Sequence, residues 1–149
     1  MDYHVLVQPF SDEIKELGII IERTFDELGV LLDDDYLRSL PNFGIEKLIF
    51  FGERSVNKFA PKVFSGYSLE GSVLKLCAFQ VDPKYRRRGF GREAFNQVVE
   101  IEKPSLIHLY SDYRATGFWE KLGFVQIEAP SHEWGFSTYM LDLSKHKFL

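Results

Sequence analysis

Val81-Asp82-Pro83-Lys84-Tyr85-Arg86-Arg87-Arg88-Gly89-Phe90-Gly91-Arg92 joins an apolar run to an amphipathic one, with arginines and glycines crowded at the join. On one side Val73–Val81 is apolar on both faces, as a central strand is. On the other, Ala94, Phe95, Val98 and Val99 recur at helical spacing, which predicts a helix over Gly91–Ile101. A helix start carries unpaired N–H groups and a partial positive charge, and so attracts anions. Gly89 and Gly91 have no Cβ and let an anion approach the backbone. Arginine adds fixed charge and a forked donor geometry suited to phosphate. Together these features predict a phosphate or pyrophosphate cradle, against the plainer alternative of a tight turn with a solvated basic face.

Two patterns in order carry a family resemblance. Arg86-x-x-Gly89-x-Gly91, preceded by Val-Asp-Pro-x-Tyr, resembles motif A of the GNAT N-acetyltransferases, Gln/Arg-x-x-Gly-x-Gly/Ala. Ala115-Thr116-Gly117-Phe118-Trp119-Glu120-Lys121-Leu122-Gly123-Phe124 resembles motif B, usually Ala-x-x-Phe-Tyr-x-Lys-x-Gly-Phe. The likeness is sharp from about Val73 to Phe124. It implies one domain over residues 1–149 in an α/β (α+β) class. The expected GNAT fold is a mixed, mostly antiparallel sheet of about six or seven strands flanked by about four helices. In it the strands before the two motifs splay, and the pantetheine arm lies between them.

The resemblance implies acetyl-CoA as co-substrate and direct transfer of its acetyl group to a primary amine. The diphosphate is then expected on backbone N–H groups from about Arg87 to Arg92, so Arg86, Arg87, Arg88, Gly89, Phe90, Gly91 and Arg92 form the cofactor-binding turn. Phe79 and Val81 are expected to pair with the pantetheine through their backbone, their side chains being core. Asp112 stands where many members carry asparagine; it either bonds the pantetheine arm or caps a helix. Trp119 takes the place of the motif B tyrosine that protonates the departing thiolate in many members. An indole N–H donates a hydrogen bond but is no acid near neutral pH. Tyr113, in the loop between the Leu106 strand and the motif B helix, is the nearest replacement, with Tyr110, Ser111 and Tyr139 also in reach, each of them otherwise a half-buried aromatic or loop hydroxyl. For the base, the motif A strand offers no carboxylate. His108 is a candidate because imidazole titrates near neutral pH, although a lone strand histidine is more often a packing residue. Glu128, His132, Glu133 or a water chain are alternatives.

The rest of the composition bounds the answer. A chain of 149 residues, 45% hydrophobic and with 14 phenylalanines, has enough material for a core without disulfide or metal. No apolar run is long enough to cross a bilayer, so no membrane partner is expected. Met1-Asp2-Tyr3-His4 lacks the basic start of a signal peptide. The one cysteine, Cys77, is expected buried and inert, and fits a reducing, cytoplasmic location. The scattered histidines show no metal-ligand spacing. A net charge of −4 argues against nucleic acid and suits a cationic amine acceptor. Homodimers are common in the family.

Along the chain, Val5–Phe10 predicts a strand, and Ser11 or Asp12 caps a helix to about Leu28, ended by Gly29. Asp33-Asp34-Asp35 starts a second helix stopped by Pro41; its carboxylates either steer a cationic acceptor or complement the helix dipole. Strands are expected at Glu46–Gly52, Lys58–Leu69, Leu106–Tyr110, Phe124–Ile127 and Ser137–Leu143, and a short helix at Thr116–Leu122 with Gly123 as its cap. Two further functions compete with the transferase. Gly89-x-Gly91-x-x-Ala94 with Asp112 also fits a dinucleotide fingerprint. An acyl-CoA-binding sensor or interaction module would keep the fold and drop the chemistry.

Overall fold

The computed structural model describes residues 1–7, 44–56, 58–112, 115–128 and 136–146. Seven strands form one sheet: β1 (Asp2–Val7), β2 (Lys47–Ser55), β3 (Lys58–Glu70), β4 (Val73–Val81), β5 (Leu106–Asp112), β6 (Val125–Glu128) and β7 (Phe136–Asp142). Their order is β1-β2-β3-β4-β5-β7-β6, and among the described residues only β4 and β5 pair in parallel. This is the mixed, mostly antiparallel sheet expected. It excludes the doubly wound parallel sheet that a dinucleotide fingerprint would require. Two α-helices lie among the described residues, α1 (Phe90–Glu102) and α2 (Thr116–Lys121). The helices predicted before Pro41 lie outside them.

The strands form where alternating or continuous apolar residues can bury a face. Leu48, Ile49, Phe50 and Phe51 in β2 are all fully buried, so both faces of this strand are covered. Burying each phenylalanine contributes about 2–3 kcal/mol. Ile49, Phe51, Val63, Leu74, Leu76, Ile107, Leu109 and Leu141 point to the face that carries α1 and α2. The first strand starts at Asp2, three residues before the predicted Val5, because its pairing with β2 runs from Asp2↔Gly52 to Val7↔Lys47. β5 continues past Tyr110 to Asp112 because β7 remains opposite it as far as Phe136.

Helix α1 buries Gly91, Ala94, Phe95 and Val98, a single stripe at spacings of three and four. It ends where the Lys103 N–H donates to the Val99 carbonyl at 2.7 Å, just before Pro104. Helix α2 closes with a Schellman turn. Gly123, at φ +100°, donates to Glu120 O at 3.0 Å, and Phe124 donates to Trp119 O at 3.1 Å. The ring contact that such turns favour is also present, with Trp119 and Phe124 centroids 5.4 Å apart.

Three bulges interrupt the ladders among the described residues. One, in β6, leaves Ile127 extra between Gln126↔Tyr139 and Glu128↔Thr138, and the other two, in β3 and β4, shape the site. Gly52 faces Pro61 while Phe51 faces Val63, which leaves Lys62 as an extra residue in β3. Gly66 faces Ala78 while Tyr67 faces Leu76, which leaves Cys77 extra in β4. The bulge at Cys77 reverses the side-chain phase of β4. Leu74 and Leu76 face the helices before it, and Phe79 and Val81 do so after it.

Candidate active site

β4 and β5 pair only from Val73↔Leu106 to Leu76↔Leu109. Beyond that point β4 stays with β3 and β5 stays with β7, so the two strands part and a split opens at the bulged Cys77. Among the described residues no strand pairs with the β4 backbone from Cys77 to Val81 on its β5 side. Where β4 ends, Pro83–Tyr85 makes a single 3-10 turn, and Arg86–Gly89 leads into α1. The N-terminus of α1 thus stands beside the mouth of the split.

The turn has the backbone shape of an anion cradle. Arg87 at φ +64° and Gly89 at φ +83° are both left-handed, a shape that turns successive N–H groups toward one side. A Cβ added at Gly89 would meet nothing within 4 Å, so the glycine serves the dihedral and leaves the space above it open. Gly91 has another purpose. A Cβ there would lie 3.2 Å from Val81 Cγ2 and 3.2 Å from the Phe118 ring, so this glycine lets α1 pack against β4 and α2. Arg86, Arg87 and Arg88 are exposed. Arg92 is also exposed, and reaches the Lys121 carbonyl at 3.5 Å, at the negative end of α2. Phe90 is half-buried, its ring edge-on to Tyr85 at 5.7 Å.

Phe79 and Val81 line the core side of the split. The Phe79 ring stacks on Phe118 at 5.8 Å and meets Trp119 edge-on at 5.3 Å. Trp119 is 6% exposed, with Phe95, Phe118 and Phe124 also around it. Its indole is therefore a core ring that supports Phe79 from below. Tyr139 is likewise turned into the core, and its hydroxyl donates to Glu120 Oε1 at 3.1 Å. Burial first, and the Glu120 carboxylate second, hold this phenol above its ordinary range.

The opposite face of the sheet brings His108 and Tyr110 together, with ring centroids 5.3 Å apart. Tyr110 is the first β5 residue past the last β4–β5 pair and is 57% exposed. Lys75 Nζ stands 6.0 Å from its ring. On the next strands, Thr138 pairs with Tyr110 and donates to Glu128 Oε2 at 3.4 Å. Ser111 is buried on the helix side. Asp112 ends β5, while Tyr113, His132 and Glu133 lie outside the described residues, as do Asp33, Asp34 and Asp35.

Cys77 is exposed rather than buried, because the bulge turns it off the core face. Enough chain surrounds the sulfur for desolvation to push its thiol up, with Lys75 pulling weakly the other way. Sequence reasoning missed the bulges and the buried Lys62. A glycine facing a proline across adjacent strands, Gly52 and Pro61, was the available signal. Among the described residues no group of three His, Cys, Asp or Glu side chains is placed to hold a metal ion, and no helix is long and apolar enough to cross a membrane.

A parted parallel pair beside a glycine-bearing helix start is the arrangement both motifs implied. Residues 51–124, from within β2 to the end of the α2 turn, match the acetyltransferase (GNAT) family. The chain belongs to the GNAT family. Its fold is shared with Tetrahymena GCN5 (TM-score 0.68, 14% identity, 95% of this chain and 96% of that one). It is also similar to the Escherichia coli ribosomal-protein alanine N-acetyltransferase (TM-score 0.60, 13% identity, 93% and 91%). A third similar structure is the PaiA N-acetyltransferase of Thermoplasma acidophilum in complex with coenzyme A (TM-score 0.58, 14% identity, 95% and 99%). No curated protein matches this GNAT chain in sequence. At these identities the structural likenesses speak for the fold.

Proposed function

We propose that the chain is a single-domain, acetyl-CoA-dependent N-acetyltransferase that passes the acetyl group directly to a primary amine. The observation that carries this reading is the split between β4 and β5, which opens at Cys77 beside the α1 N-terminus. Neighbours of the same fold that hold coenzyme A, such as the Thermoplasma enzyme, support acetyl-CoA as co-substrate. The β4 edge from Cys77 to Val81, unpaired with β5 among the described residues, fits an amide-bearing pantetheine arm, which would add to the sheet like a short strand. The N–H groups of Phe90, Gly91 and Arg92 have no carbonyl one turn earlier in the helix and fit the diphosphate, with Arg86 to Arg88 adding charge around it. Asp112, at the end of β5, would bound the other side of the split.

Bound there, acetyl-CoA supplies the activated acyl group. The chain's own residues must orient it and move two protons. The amine loses one as its nitrogen forms the new C–N bond, and the sulfur gains one as the C–S bond breaks. Trp119 and Tyr139 face the core and supply neither. Tyr110, at the opening of the split, is the proton donor in this reading, with Tyr113 as the alternative. His108, against the Tyr110 ring, is the base, and Glu128 stands two strands away as a carboxylate that favours a cationic acceptor. A reducing, cytoplasmic setting fits the single cysteine.

The test is release of free CoA from acetyl-CoA across a panel of small amines, peptide N-termini and lysine peptides. Turnover on one class, reduced about 10²-fold or more in Tyr110→Phe or His108→Gln, is the expected result. The Trp119 placement also favours a second reading, an acyl-CoA-binding module without turnover. Binding of acetyl-CoA with no release above the uncatalysed rate on any amine would select it.

A further inference from the structure

The bulge in β3 displaces one lysine from the strand's alternation and buries it. Lys62 is 8% exposed. A buried ammonium persists only where its donors and its charge are met. Lys62 Nζ donates to Glu53 Oε1 at 2.6 Å and holds that carboxyl below the usual glutamate range. Its charge faces two rings, with Nζ 4.7 Å from the Tyr85 centroid and 4.5 Å from the Phe90 centroid. Cation–ring attraction is strongest when the cation has been taken out of water, as here.

Those two rings are the residues on either side of Arg86–Gly89. We propose that Lys62 is the positioning residue of the arginine turn, its ammonium clasping Tyr85 and Phe90 so that the turn between them keeps its left-handed backbone. Its main chain works to the same end. The Lys62 carbonyl accepts from Asp82 N at 2.7 Å, where β4 ends. Asp82 in turn starts the 3-10 turn, its Oδ1 accepting from Lys84 N at 3.0 Å and its carbonyl from Tyr85 N at 2.8 Å. One residue therefore fixes the origin of the turn through its backbone and both flanks through its side chain. A turn with Arg87 and Gly89 at positive φ has little local preference for its shape and depends on such bracing. An aliphatic side chain at 62 would fill the same space without drawing the rings together.

As a positioning role for a coenzyme turn, this rests on the acetyltransferase reading, but its first measurement does not need the coenzyme. Amide hydrogen exchange would be followed in the ligand-free protein at Tyr85, bonded to Asp82 O, and at Glu93, bonded to Gly89 O at 3.0 Å. Lys62→Met keeps the bulk and removes the charge, whereas Lys62→Arg keeps a cation that binds ring faces. In Lys62→Met both amides should exchange about tenfold faster while those of β5 and β7 keep their rates, and the dissociation constant for CoA should rise about tenfold. Lys62→Arg should restore both quantities to within about threefold. Unchanged exchange at Tyr85 and Glu93, or equal acceleration throughout the sheet, would overturn the proposal. So would a loosened turn that binds CoA as tightly as before. Failure of the unaltered protein to bind CoA would instead reject the coenzyme reading, and the exchange rates would then decide the clasp by themselves.

Discussion

Gly89 and Cys77 are single residues whose surroundings can be tested directly. Gly89 combines a left-handed dihedral with open space above it, so size and charge can be separated there. Gly89→Ala brings only the dihedral strain of about 1–2 kcal/mol. Gly89→Asp brings the same strain and a carboxylate where an anion is expected. Both variants should remain folded by circular dichroism. Gly89→Asp should lose acetyl-CoA binding in calorimetric titration, and Gly89→Ala should keep most of it; equal affinities for the two would move the anion elsewhere. Cys77 is exposed, yet its thiol is pushed up, and the thiolate is the reactive form. Alkylation by iodoacetamide at neutral pH should run several-fold slower than on an unstructured cysteine peptide (roughly threefold or more). A faster rate would point to an activating cation.

At the scale of elements, the contact of α1 with β4 and α2 is set by the absence of one methyl group. Gly91→Ala forces a Cβ into 3.2 Å contacts with Val81 and Phe118, and overpacking of this kind costs about 1–3 kcal/mol. Urea unfolding should show the loss, and an unchanged midpoint would mean that α1 can slide away from β4. The outer strands supply a pH-dependent contact. Arg54 donates to Nε2 of His4, whose ring meets Phe59 edge-on at 4.6 Å. Burial first, and the Arg54 charge second, hold His4 below its ordinary range, with Asp2 opposing weakly. A depressed folded pKa means that stability is present above histidine's unfolded value of ~6.5 and is lost as pH falls through the lower folded value. Urea midpoints taken at pH 7 and pH 5 should therefore fall less in His4→Phe than in the unaltered protein. Equal falls would remove His4 from the balance.

For the whole molecule, the split is where β4 and β5, paired from Val73 to Leu76, part from each other. A ligand that fills it adds binding free energy to the folded state alone. Acetyl-CoA at 100 times its dissociation constant adds ~2.7 kcal/mol, which for a domain of this size raises the thermal midpoint by very roughly 5–10 °C. NAD should leave it unmoved, because the sheet lacks the parallel switch point where a dinucleotide binds. A rise with NAD and none with acetyl-CoA would reverse the assignment of the cradle.

Local chemistry accounts for what could be read along the chain. The stripe Gly91, Ala94, Phe95, Val98 shows α1 by its own period, and Gly123 closes α2 through a turn only glycine makes easily. The first motif placed the arginine–glycine turn beside the strand it follows, because that link is a few residues long. Cross-strand register is different. The extra residue in a bulge is defined only against its partner strand, so nothing near Cys77 in sequence marks it, and Pro61 signals the bulge at Lys62 only once it is seen to face Gly52. Those two bulges reversed the phase of β4, exposed Cys77, opened the split and buried Lys62 between Tyr85 and Phe90. Packing likewise decided Trp119, whose place in motif B suggests the site but whose large ring is turned into the core among Phe79, Phe95, Phe118 and Phe124. The sequence by itself thus determined the described elements, their order and the glycine turn before α1, all products of short-range backbone preference and spacing. The tertiary structure alone decided which side chains face the split, because that depends on strands and rings far apart in the chain meeting in one register.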